Sequence, residues 1–109
     1  MRIVDVPFAT IRWENRPAVR QAGEKGFAEV KTVQIGEMRL RKIEFAPGYC
    51  ADEWCSKGHV GFVLSGSLLI RLERGDIFEI AAGDGFHVGD DQDRHRAESL
   101  DGATVFLID

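Results

Sequence analysis

Short apolar runs separated by glycine-containing turns are the feature that most constrains how this chain can fold. Twelve glycines stand against three prolines, and from residue 27 onward turn-forming pairs recur at intervals of about ten residues. No long helical pattern lies between the runs, so the sequence predicts an all-β sandwich or barrel. The predicted strands are 27–35, 37–45, 49–55, 60–64, 67–73, 77–80, 85–88, 95–99 and 104–108.

Two of these predicted strands depart from simple alternation. In the second strand the apolar parity switches between Leu40 and Ile43, which predicts a bulge or a strand buried on both faces. The run 60–64 is apolar without alternation, as in a strand covered on both sides.

The first 26 residues follow a different pattern from the rest. Residues 10–13 are predicted as a short strand, and 17–22 as one helical turn that starts near Pro17. We therefore divide the chain into an extension, 1–26, which we expect to pack on the barrel or on a partner subunit, and a barrel domain, 27–109.

Composition excludes several classes of function. With 109 residues the chain has room for one domain and one core. The formal net charge is -4, so we do not expect the basic surface of a nucleic-acid binder. No apolar run approaches the roughly 20 residues of a membrane helix, and no signal core is evident, so we expect a cytoplasmic protein with no membrane partner. Cys50 and Cys55 are expected to be reduced thiols.

The segment from Gly48 to Gly66 concentrates side chains that can bind metals. Glu53, Cys55 and His59 all have odd numbers, so they share one face if the chain is extended here. A carboxylate, a thiolate and an imidazole suit zinc or iron, and His95 can supply a fourth ligand. The structural alternative is that Cys55 is a small buried hydrophobe and His59 a turn residue.

The same segment resembles the first motif of the cupin superfamily, in its small, single-domain RmlC-like jelly-roll form. Gly48 matches the opening glycine of that motif, six residues separate His59 from Gly66, and a Val-Leu-Ser-Gly turn ends at Gly66. His59 stands at the family's glutamate position. Glu53 and Cys55 stand where the family has its pair of histidines, four rather than five residues after Gly48.

The second cupin motif is matched more loosely. Gly83 opens it and His95 is its histidine, one residue late. Gly89 replaces the proline of the motif, Asp91 replaces its glycine, and Ser99 stands at its asparagine. The resemblance covers about two thirds of the chain.

This resemblance implies a jelly-roll barrel, a double-stranded β-helix with a short N-terminal extension. It also implies that Glu53, Cys55, His59 and His95 converge inside the barrel around a divalent ion (Zn, Fe, Mn or Ni). The implied function is a metal-dependent enzyme of dioxygenase or isomerase type that acts on a small organic molecule. The alternative is a small-molecule-binding or sensing cupin without catalysis, with a structural metal or none.

Other side chains are candidates for the substrate pocket and for association. Arg41, Trp54 and Phe62 are candidates for lining the pocket, although core packing also explains such aromatic residues. Arg39 and Arg41 share a strand face and can clamp a carboxylate or phosphate, or form a solvated face. Exposed sheet edges in so small a domain predict a homodimer.

Overall fold

A computed structural model describes residues 2–109 and is nearly all β. A three-residue 3₁₀ turn, Trp13–Asn15, precedes the strands, and no helix in the described residues is long and apolar enough to cross a membrane. The strands are β1 (Val19–Ala22), β2 (Phe27–Ile35), β3 (Met38–Phe45), β4 (Tyr49–Cys50), β5 (His59–Leu72), β6 (Ile77–Ala81), β7 (Gly85–Val88), β8 (His95–Ser99) and β9 (Ala103–Ile108).

All strand pairs are antiparallel, and β5 connects the two sheets. The order is β1-β2-β3-β9-β5-β8-β4, with β6 and β7 also paired to β5. The first half of β5 pairs with β7 and β9, and its second half pairs with β6 and β8. The sheet therefore curls around one interior. This architecture confirms the predicted all-β jelly-roll barrel.

A bulge in β5 replaces the turn expected between residues 64 and 67. The β5–β9 ladder shifts register between Val63 and Ser65. Gly66 follows with a φ of 75°, and a Cβ atom there would clash with the carbonyl oxygen of Gly102. Only glycine fits such a corner, so the glycine that indicated a turn marks a bulge inside one continuous strand.

Strand β3 contains no bulge, and its apparent change of parity has another cause. Its registers with β2 and β9 run without a shift. Ile43 and Phe45 are buried, and Arg39 and Arg41 occupy the same face further along the strand. Two inward arginines thus interrupt the apolar pattern that the sequence would otherwise show.

The segment before β2 is not helical. Val19–Ala22 forms an edge strand on β2, where Arg20 lies opposite Glu29 and makes an ion pair with it at 2.8 Å. The strand predicted over 10–13 does not form. Instead Trp13 packs against Phe106 of β9 with ring centroids 5.4 Å apart. Pairing with the free edge of β2 satisfies the backbone of residues 19–22 without a helix.

The core fills the interior of the curled sheet. Its buried residues come from five strands and are mostly aliphatic. The first residues of β5 and β8 are buried polar side chains, His59 and His95. The core residues are Ala28, Val30, Ile43, Phe45, Val63, Leu68, Ile70, Leu72, Ile80, Ala103 and Val105.

Candidate metal centre

Three of the four metal ligands expected from the sequence meet in the structure. One ligand atom each of Cys55, His59 and His95 lies within 4.8 Å of the other two. Both histidines are buried and Cys55 is half-buried. The two imidazole rings stand at 89° to one another, and their Nε2 atoms are 2.8 Å apart.

Strand ends and one isolated bridge place these side chains. His59 is the first residue of β5 and His95 the first of β8. Cys55 lies outside the regular strands, yet its N–H donates to the carbonyl of His95 at 2.7 Å, and the N–H of His95 donates back at 3.0 Å. The loop before His59 is fixed by the Gly58 N–H, which donates to the Asp90 carboxylate at 2.6 Å. Two backbone hydrogen bonds therefore hold Cys55 beside His95, and the Gly58 contact fixes the loop that leads to His59.

The hydrogen bonds of the two Nδ1 atoms decide where each imidazole carries its proton. His95 Nδ1 lies 2.8 Å from the carbonyl oxygen of Asp93, and His59 Nδ1 lies 3.4 Å from a carboxylate oxygen of Asp109. Both partners accept only, which favours hydrogen on both Nδ1 atoms. In neutral rings with that tautomer each Nε2 presents a lone pair to the other, whereas a ring with hydrogen on Nε2 would donate it across the 2.8 Å gap.

Two lone pairs 2.8 Å apart repel each other unless a cation or a proton lies between them. Burial is the main cause that lowers the pKa of His59, and the neighbouring His95 lowers it further, which opposes an additional proton. A divalent cation removes the repulsion without protonating either ring. A thiol and two imidazoles oriented in this way fit a zinc-type ion.

Asp109, which sequence analysis did not identify, supports His59 from behind. Its side chain is only 1% exposed. Arg39 donates to it twice, at 2.9 and 3.0 Å, and Arg41 donates once at 2.9 Å. The hydrogen bond from Arg39 is the main cause that holds the pKa of Asp109 well below its usual range. The Arg39–Arg41 pair therefore clamps a carboxylate, as one interpretation of the sequence proposed, and the carboxylate is the chain's own.

The structure does not bring Glu53 to the three ligands. Only Tyr49–Cys50 of the expected strand 49–55 is extended. The chain bends at residues 52 and 53 and leaves Glu53 exposed. Residues of the same parity share a face only along a continuous strand. Because the chain bends here, Glu53 does not share a face with Cys55 and His59.

Of the three residues expected to line a pocket, only Arg41 does so. Arg41 lies with Cys55 beside the cavity that the two histidines face. The ring of Trp54 instead lies under the guanidinium of Arg96, at 4.5 Å. Phe62 is 45% exposed on the outer face of β5. Both aromatic residues therefore belong to the surface of the barrel.

The cavity beside the ligands is small and mostly apolar. Its volume is about 170 Å³. A second depression of about 390 Å³ reaches His95 from the side of β6 and β7, but neither Cys55 nor His59 lines it. The smaller cavity is thus the one that a bound ion would face. It is lined by Gln21, Ala28, Arg41, Ile43, Phe45, Tyr49, Ala51, Cys55, His59, Leu68, Ile70, Phe86, His95, Ala97, Val105 and Leu107.

Solved structures resemble this chain across most of its length. An RmlC-like cupin from Shewanella frigidimarina has 19% identity and a TM-score of 0.72, over 96% of this chain and 92% of that one. A predicted oxalate decarboxylase from Thermotoga maritima has 18% identity and a TM-score of 0.76, over 92% and 96%. The polyketide cyclase RemF from Streptomyces resistomycificus has 17% identity and a TM-score of 0.77, over 94% and 78%.

Comparison by sequence gives no further relatives. No protein-family model matches the chain, and no curated protein matches it significantly. At identities of 17–19% the solved structures show a shared architecture. The chemistry of this chain has to be argued from its own side chains.

Proposed function

Because the chain has the cupin fold, we propose that it binds a divalent metal ion through Cys55, His59 and His95 and uses this centre to hold a small organic molecule. One observation carries the proposal. Two buried imidazoles place their Nε2 atoms 2.8 Å apart beside a thiol, and the Nδ1 atom of each faces an acceptor oxygen. This donor set suits zinc best, with iron, manganese or nickel as alternatives.

Three protein ligands leave a coordination position open. Glu53 lies outside the group, so the closed four-ligand site suggested by the sequence is not formed by the described residues. An open position that faces a cavity is typical of zinc sites that bind water or substrate. When bound, the ion would supply a Lewis acid at that position. Asp109 would keep the proton on His59 Nδ1, and the apolar walls of the cavity would limit access of water.

One feature favours binding without turnover as the second candidate function. Apart from the three ligands, the described residues that line the cavity include no carboxylate or imidazole that could accept a proton. Tyr49 is present, but burial raises the pKa of its hydroxyl, so it can donate a hydrogen bond more readily than it can accept a proton. A non-catalytic sensing or binding protein needs only the metal, the cavity and the ligand.

Metal analysis of protein purified without an affinity tag tests the proposal. We expect the stripped protein to take up one equivalent of zinc at neutral pH, by elemental analysis and by calorimetric titration. Cys55→Ser should reduce uptake strongly. Cys50→Ser should not, because Cys50 is outside the group of ligands. Uptake below about 0.2 equivalents, at a pH where the ligands are deprotonated, contradicts the proposal.

We also propose that the protein is a homodimer and that residues 1–26 act as an extension that contacts the partner as well as the barrel. Phe8 is 93% exposed within that extension, although an aromatic ring gains free energy by burial. Light scattering after size-exclusion chromatography should give twice the chain mass of 12.2 kDa. A mass equal to one chain contradicts the dimer and leaves the metal site unaffected.

A further inference from the structure

Arg41 lines the cavity, and the protein satisfies its guanidinium only in part. Its side chain is 17% exposed and lines the same cavity as the three ligands. One Nη donates to Asp109 at 2.9 Å. Its buried Nε has no hydrogen-bond partner among the described residues. A guanidinium has five N–H donors, so this group is only partly satisfied by the protein itself.

The cavity also carries positive charge that the protein does not neutralise. Arg39 and Arg41 share a single carboxylate, that of Asp109. No acidic residue lines the cavity within the described part of the chain. Burial lowers the pKa of Arg41, and the charge of Arg39 lowers it further, as expected for a cation short of partners. A divalent ion held by one thiolate would add to this excess.

We infer that the cavity takes a small organic carboxylate, with its anionic group towards Arg41 and its apolar body against the aliphatic wall. The inference deepens the function proposed above, since it names the ligand class of the same cavity. A guanidinium suits a carboxylate in both charge and planar shape. Neutral and cationic molecules leave the excess positive charge uncompensated.

Size and wall chemistry narrow the class further. A volume of about 170 Å³ corresponds to the space of about five or six water molecules in the liquid. The rest of the lining is largely apolar and includes Leu68, Val105 and Leu107. Inorganic phosphate has no apolar part to fill that space and would lose hydration against it. A short, branched aliphatic acid fits both the volume and the wall.

The test compares isobutyrate with isobutyramide, which has the same shape and no charge. Binding is followed by NMR titration of the amide and methyl signals of cavity residues, in metal-free and in zinc-loaded protein, with inorganic phosphate as a third probe. We expect weak, measurable binding of isobutyrate at millimolar concentration. Isobutyramide and phosphate should bind at least tenfold more weakly, and the preference should be present in the metal-free protein.

Two variants separate the effect of the Arg41 charge in the cavity from the effect of the hydrogen bonds that Arg39 and Arg41 donate to Asp109. Arg41→Gln removes the cavity cation and one of the three hydrogen bonds to Asp109, whereas Arg39→Gln removes the other two and leaves the cation in the cavity. We expect the preference for isobutyrate over isobutyramide to disappear in Arg41→Gln and to change less than threefold in Arg39→Gln. Circular dichroism and urea unfolding check that both variants fold. Titration of the unaltered protein with isobutyrate and with isobutyramide tests the inference even if neither variant folds.

Each outcome separates this inference from the metal proposal. Equal binding of the acid and the amide, or no binding of either, overturns the inference whatever the zinc titration shows. Preference for the acid only in zinc-loaded protein, unchanged in Arg41→Gln, also overturns it, because the ion alone would then hold the anion. Preference for the acid in a protein that takes up no zinc supports the inference and contradicts the metal site.

Discussion

The barrel carries two clusters of the same residue types, one inside and one outside, and they differ in almost every physical respect. The inner cluster joins Asp109 to Arg41 near Cys55, and the outer cluster joins Glu98 to Arg71 near Cys50. The inner pair is 2.9 Å apart and its carboxylate side chain is 1% exposed. The outer pair is 3.3 Å apart, and its carboxylate side chain is 19% exposed.

The difference shows that placement, and not residue type, makes a site. The inner carboxylate is tied to His59 and so to the second imidazole of His95. The outer carboxylate accepts from the thiol of Cys50, with sulfur and oxygen 3.4 Å apart. Burial and Glu98 together raise the pKa of the Cys50 thiol, which keeps it protonated and a poor metal ligand.

The matched cysteines give the largest expected contrast. Cys55→Ser should lower zinc affinity more than about 100-fold, because losing a ligand should cost more than losing one of its supporting partners. Cys50→Ser should change the affinity less than about twofold, since that thiol contacts Glu98 and not the histidines. Competition titrations with a zinc chelator measure both. Similar losses in the two variants would contradict the assignment of the inner cluster as the metal site.

The two carboxylates give the next contrast. Asp109→Asn should weaken zinc binding by about 10- to 100-fold, because the amide can present its N–H₂ to His59 and no longer fixes the proton on Nδ1. Glu98→Gln serves as the matched control on the outer surface and should leave zinc affinity unchanged. The same chelator competition reads both. An Asp109→Asn protein with full affinity would show that the 3.4 Å contact to His59 does not orient the ring.

The free energy of unfolding of the metal-free protein should also differ between Asp109→Asn and Glu98→Gln. Asp109→Asn leaves Arg39 and Arg41 facing each other without a carboxylate, at a cost of about 1 to 2 kcal/mol in the free energy of unfolding. This is less than for a fully buried pair, because Arg39 remains 36% exposed. Glu98→Gln should cost less, since the outer pair is longer and better solvated. Urea unfolding of the metal-free proteins at pH 7 measures both differences.

The effect of Asp109 on stability should depend on pH in a defined direction. The pKa of Asp109 is lower in the folded chain than in the unfolded one. Its contribution is therefore fully present above the ordinary aspartate pKa of about 4 and is lost as the pH falls through the lower folded value. The difference between the original protein and Asp109→Asn should shrink as the pH falls below about 4. A difference that grows below pH 4 contradicts the buried ion pair.

The contrast between the clusters also explains what the sequence could predict. The glycine and apolar pattern predicted the barrel. Strand parity grouped Cys55 with His59, the resemblance to the second cupin motif added His95, and the structure brings these three side chains together. Parity failed for Glu53 because the chain bends there, and no single-strand pattern reports a bend. The contact of the two arginines with Asp109 could be predicted in part from the sequence. Arg39 and Arg41 share the parity of buried Ile43 and Phe45, so two cations pointed inward and required an acid.

The sequence could not predict which acidic residue pairs with Arg39 and Arg41. Asp109 comes beside Arg39 only through the pairing of β3 with β9, and the two residues are 70 positions apart in sequence. Likewise, β1 forms because the edge of β2 is free, a fact about the folded sheet and not about the local sequence of residues 19–22. Local patterns thus predict strands and faces, whereas pairing across the barrel decides which groups meet.

The outer cysteine offers the smallest and most selective check of the comparison. In a Cys55→Ser background only Cys50 can react with iodoacetamide. Glu98→Gln removes one of the causes that raise the pKa of this thiol and leaves Arg71 nearby, so the thiolate fraction should increase. We expect alkylation at pH 8 to become faster, by less than about fivefold, because burial, the larger cause, remains.

Zinc should leave this rate unchanged while it protects Cys55 in the unaltered protein. A slower reaction in Glu98→Gln, or protection of Cys50 by zinc, would mean that the outer cluster shares the chemistry assigned to the inner one.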